Sequence, residues 1–186
     1  MPPDVYVSNP QLWTCTGILL VLDVLLVSLA RRNINREQFR RMRWLLAVAG
    51  GAFFLLVWSA AMLWAWDWFY SYIFPNWARI LLPAIFGLGY TLLALGMFWL
   101  SLKIQREPAF TWCVLGGVEG FLSHLYAIYG LGAASKPPIM QDASQLVVLI
   151  FAFFEVAFYW SIILLACKFL SAKLFHKSRK DELTPC

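Results

Sequence analysis

The chain is expected to fold as an all-α membrane protein, a bundle of five transmembrane helices in a single domain spanning 1–186. Three observations predict this. Five apolar stretches, 12–30, 44–66, 80–102, 111–134 and 145–170, each approach or exceed the roughly 20 helical residues that a hydrocarbon core about 30 Å thick requires. Of the 186 residues 61% are hydrophobic and only 13% charged, so a water-soluble domain of this size would expose too much apolar surface. The basic residues lie in short connections on alternate sides of the stretches, which is topology information and not a nucleic-acid footprint, despite a net charge of +5. No nucleic-acid partner is expected.

The first stretch lacks a basic leading region and a small-residue cleavage site, so it is read as a retained span. The connection after it carries Arg31, Arg32, Arg36, Arg40, Arg41 and Arg43. It is read as a cytoplasmic topology determinant, its charge suited to anionic headgroups. Gln38, Phe39 and Met42 interleave with the arginines, so part of it could continue a helix. Lys103 and Arg106 then fall on the same side, as do Lys168, Lys173, Lys177, Arg179 and Lys180, which makes 13 of the 15 basic residues. Only Arg79 and Lys136 fall opposite. The N-terminus is therefore expected outside and the C-terminus, with a disordered tail at 171–186, in the cytoplasm.

Between the second and third spans the chain runs Trp64-Ala65-Trp66-Asp67-Trp68-Phe69-Tyr70, then reaches Phe74, Pro75 and Trp77. Aromatics of this density belong at headgroup level, as a belt or an interfacial half-helix ending near Pro75, and they could roof a cavity. Trp44, Trp99 and Trp112 mark the inner boundary in the same way. Pro83 is expected to bend the third span. Gly116 and Gly120, four apart on the fourth, permit close helix approach. Ser135–Ser144 is read as an outer Pro-Pro turn. No internal repeat of the transporter kind is visible.

The residues that could carry chemistry are ionisable groups inside spans: Asp23, Glu119, His124 and Glu155. Each costs at least about 2.5 kcal/mol at mid-bilayer if charged and unpaired. At 1.5 Å per residue, Asp23, His124, Glu155 and the phenol of Tyr90 all fall roughly 15 Å from the outer ends of their spans, with Glu119 about 7 Å nearer the cytoplasm. Helical phase puts Glu119 and His124 about 140° apart, flanking one face, with Ser123 and Tyr126 on the Glu119 side. Tyr159, four residues from Glu155, is within hydrogen-bonding reach of it. Thr16, Asp23 and Ala30 form one stripe on the first span.

This pattern is read as a buried acid–base site. Glu155 is the general acid, His124 or Asp23 takes a proton back, and Glu119 completes the catalytic group. Tyr90, Tyr126, Tyr159 and Trp160 are the ligand-binding aromatics, able to stabilise a cation. The chemistry that fits is that of an isomerase or cyclase acting on a lipid-like or isoprenoid molecule. Two other functions remain open: a non-catalytic subunit held to partner subunits by helix–helix contacts, its acids serving as interhelical glue, and a small proton-coupled carrier. No cofactor is expected. Cys15, Cys113, Cys167 and Cys186 have no metal-type spacing, one intramembrane histidine is thin for a metal, and no nucleotide loop is present. The membrane could be a bacterial inner membrane or a eukaryotic endomembrane.

Overall fold

The computed structural model describes residues 9–71, 74–104, 107–132 and 143–181, with 9, 68, 69 and 174–181 by backbone alone. Those residues form six helices and a π-helical turn, with no strand among them: α1 (Asn9–Asn33), α2 (Arg36–Arg41), α3 (Arg43–Trp64), the π turn (Trp66–Tyr70), α4 (Ala78–Ile104), α5 (Pro108–Tyr129) and α6 (Gln145–Asp181). Four of them, α1, α3, α4 and α6, are long and apolar enough to cross a membrane, which marks a membrane-embedded protein. The sequence reading expected a fifth in 111–134. Its helix, α5, has 22 residues and ends at Tyr129, but Glu119, Ser123, His124 and three glycines dilute its hydropathy, and it does not join the other four.

The helices pair by side-chain size. α3 lies along α4 where Gly51 meets the Gly87 carbonyl and the Thr91 side chain. α5 lies along α6, and there glycines set the distance. A methyl group on Gly120 would come within 2.5 Å of the Ala152 carbonyl oxygen, and one on Gly116 within 2.2 Å of the Trp160 indole. In lipid, where apolar side chains gain nothing by leaving the solvent, such close backbone approach is what van der Waals association requires. Trp160, fully buried, fills the space that Gly50 and Gly116 leave, and its ring lies edge-on to Trp112 at 5.0 Å.

α1 leans chiefly on α6. Thr16, Asp23 and Ala30, seven residues apart, are its buried seam, while Val21, Val24, Leu25 and Leu29 face outward. The charged connection after α1 is not an open loop. The Asn35 side chain accepts the Gln38 amide at 2.6 Å and starts α2, whose last turn is tied to its first by Arg41 Nε donating to Glu37 at 3.0 Å. α2 inserts Phe39 into the bundle, completely buried, stacked on Phe98 at 4.9 Å and edge-on to Trp112. The segment from Arg31 to Arg43 thus combines six exposed arginines with a buried hydrophobic plug. Arg31 adds an ion pair with Glu107, and Arg36 donates to the Leu102 carbonyl at 2.9 Å.

Arg79 closes the C-terminal end of α3. Its guanidinium donates to the Met62 carbonyl at 2.9 Å, satisfying an acceptor in the last helical turn, and lies over Trp66. The π turn follows α3, Tyr70 and Phe74 pack against Met62, Trp66 and Ala78, and Pro83 lies buried inside α4. The tail differs from the sequence reading. The α6 backbone stays helical to Asp181, because Ser171–Asp181 contains no Gly or Pro, and its three lysines with one Ala, one Leu and one Arg continue a helix readily. The Pro-Pro turn expected between the last two spans lies almost wholly outside the described residues.

Candidate functional site

A cavity of about 670 Å³ opens between α3, α4, α5 and α6, beneath Tyr70 and Phe74. The volume is within the range of small-molecule sites. Its α3–α4 wall is aromatic because two helices each place aromatics one turn apart. Phe54 and Trp58 come from α3, Phe86 and Tyr90 from α4. They stack across the helix pair, Phe54 on Tyr90 at 3.7 Å and Trp58 on Phe86 at 4.0 Å, both within 10° of parallel. The opposite wall carries the polar groups, Glu119, Ser123 and His124 from α5 and Glu155 with Tyr159 from α6.

Each glutamate is held by a tyrosine. The Tyr90 hydroxyl donates to Glu119 Oε1 at 3.0 Å, across helices, and the Tyr159 hydroxyl donates to Glu155 Oε1 at 2.7 Å, within α6. The second oxygen of Glu119 is buried and has no partner among the described residues. Tyr90 also lies within the electrostatic reach of Glu155, so both acids bear on one part of the cavity. His124 Nδ1 is 3.0 Å from the Gly120 carbonyl. A carbonyl can only accept, so Nδ1 carries a proton, and in that tautomer Nε2 is the ring's acceptor. Tyr70 completes the lining beside Phe74; burial, and secondarily the neighbouring Glu155, push its phenol pKa up to about 12, so it is a neutral hydroxyl at physiological pH.

Of the eight residues singled out from sequence, six line this cavity: Glu119, His124, Glu155, Tyr90, Tyr159 and Tyr126, the last largely exposed at its rim. Two do not. Trp160 points the other way along α6, into the packed core beside Gly50 and Gly116. Asp23 is 6% exposed in the seam of α1 against α6 and α5, near Cys113, and neither of its oxygens has a partner among the described residues. Shared depth did not bring it to the other acids, because depth along a helix axis says nothing of azimuth. No three His, Cys, Asp or Glu side chains among the described residues converge on a metal-sized site. Phe54, Trp58 and Phe86 line the cavity without being among the residues that ionisability or span depth singles out. Their signal was available, since aromatics four apart on two successive apolar stretches mark matching helix faces.

Comparison with protein-family models, with curated proteins and with solved structures finds no match to this chain.

Proposed function

We propose that this protein is a five-span membrane enzyme of the isomerase or cyclase type, acting by acid–base chemistry on a lipid-like, isoprenoid-class substrate. The observation that carries the reading is the cavity: two carboxyl groups and an imidazole acceptor set against an aromatic wall, within an apolar bundle. In the reaction Glu155 gives its proton to an alkene carbon, leaving a carbocation beside the aromatic faces. His124 Nε2 removes a proton from a neighbouring carbon. One C–H bond forms and one breaks, so the double bond moves with no redox change. Tyr159 holds the Glu155 carboxyl in place, and Glu119, anchored by Tyr90, counters the developing positive charge.

The topology belongs to the same proposal. α5 is taken as the fifth span, because at about 1.5 Å per residue its 22 residues reach roughly 33 Å, and its polar groups face inward to the cavity. With 13 of the 15 basic residues on one side, the N-terminus lies outside and the C-terminus in the cytoplasm. A single cysteine placed at 140 is expected to react with an impermeant thiol reagent in intact cells, in a cysteine-free background, and one placed at 36 only after permeabilisation. The reverse pattern would invert the topology.

The reaction has a signature that needs no knowledge of the substrate. Protonation by a solvent-exchanged acid and loss of a different proton must move solvent hydrogen into the product. Membranes containing the protein, incubated in D₂O with a total isoprenoid-lipid extract, are expected to show a carbon-bound deuterium in one lipid that protein-free membranes do not. No protein-dependent deuterium in any lipid from an extract of the native host would count against the enzyme and favour a non-catalytic subunit.

A further inference from the structure

We infer that the cavity selects a lipophilic cation, an ammonium group carried on an apolar body. The inference rests on the cavity being a ligand site, but not on its being catalytic. Among the described residues no lysine or arginine lines it, while two glutamates do. Both receive a single neutral hydrogen bond from a tyrosine and neither is in an ion pair among the described residues. Glu119 keeps a buried oxygen with no partner among the described residues. A carboxylate in such surroundings is stabilised by an opposite charge and strongly disfavours an anion.

The rest of the lining points the same way. Eight aromatic residues bound the cavity, and ring faces attract cations through their quadrupole. Tyr70, beside Phe74, and Tyr90, on the α4 wall, both lie in the field of Glu155, so aromatic and acidic groups bear on one region and not on separate ends. An ammonium there meets ring faces and carboxylates together. The apolar remainder of the lining, with Val57, Leu93 and Val156, suits a hydrocarbon body. The arrangement differs from the arginine-rich segment from Arg31 to Arg43, which suits anions.

The full chain in nanodiscs of digalactosyldiacylglycerol, an uncharged lipid, permits a direct test by calorimetry with decyltrimethylammonium, decanol and decyl sulfate, each corrected against empty discs. Saturable, protein-dependent binding of the ammonium is expected, at least about tenfold tighter than the alcohol, with none for the sulfate. Glu119→Gln with Glu155→Gln should lower ammonium affinity about tenfold and leave the alcohol unchanged. Equal or tighter binding of the alcohol or the sulfate would overturn the inference. So would an unaltered ammonium affinity in a folded double variant. If that variant does not fold, the comparison of the three probes on the unaltered chain decides. Ammonium preference without deuterium incorporation would remove the enzymatic reading and leave this one standing, and incorporation without ammonium preference would do the opposite.

Discussion

Glu155→Gln is expected to lower deuterium incorporation by about 10²–10⁴-fold, the usual contribution of a positioned general acid or base. The amide is nearly the same shape, and its oxygen can still accept the Tyr159 hydroxyl that now lies 2.7 Å from Glu155 Oε1. The variant should therefore reach normal levels and unfold at nearly the same temperature. What it lacks is a proton acidic enough to reach an alkene. Tyr159→Phe, which removes the donor and leaves the acid, should produce a smaller fall of about tenfold, because the phenol positions the carboxyl and does not itself react. Mass spectrometry of the lipid extract reads both. Full incorporation in a stable Glu155→Gln protein would mean that Glu155 serves packing, as an acid in a structural subunit would.

The second large effect lies in the packing that holds the cavity walls apart. Gly120→Ala should destabilise the bundle by about 1–3 kcal/mol. The added methyl meets the Ala152 carbonyl oxygen at 2.5 Å and the Val156 Cβ at 2.6 Å. One is backbone and the other a branched stem, so neither can swing aside, and α5 must move from α6. Gly120→Leu should leave no properly folded protein. Gly96→Ala is the control. A methyl there meets nothing within 4 Å, and the helix gains the roughly 1 kcal/mol by which alanine exceeds glycine. Thermal unfolding in nanodiscs, followed by tryptophan fluorescence, should thus shift in opposite directions for two identical substitutions. A Gly120→Ala protein as stable as Gly96→Ala would show that α5 and α6 tolerate a wider spacing. Because Glu119 and His124 flank Gly120 on α5 and Glu155 lies on α6, ammonium binding should fall with stability in the first variant and not in the second.

Sequence by itself determined that the chain is helical and membrane-embedded, nearly where three long helices begin and end, and where the fourth begins. A run of about 20 apolar residues in lipid has no alternative to satisfying its own backbone as a helix, so composition and length suffice. It also determined which groups were worth watching, since an ionisable side chain among apolar residues is costly wherever the helix turns. The Glu155–Tyr159 contact was legible because four residues along one helix are neighbours by geometry, and the buried stripe of Thr16, Asp23 and Ala30 because its repeat is seven.

Tertiary structure decided everything that depends on rotation of one helix against another. Counting residues along the spans expects Asp23 at the depth of His124 and Glu155, yet it faces the α1 seam while they face the cavity. Trp160 stands one residue beyond Tyr159, and that step of about 100° takes it from the cavity side into the core. Phe39, in a connection that reads as a basic loop, became the plug of the bundle because Asn35 starts a helix there and a pocket between Phe98 and Trp112 receives the ring. The pairing of Tyr90 with Glu119 spans 29 residues and two helices, and no local rule reaches it. The physical reason is common to all four. In lipid every apolar face is equally comfortable, so a pattern of hydrophobicity that would orient a helix in water is absent, and orientation is left to the fit of glycines, aromatics and polar groups between neighbours.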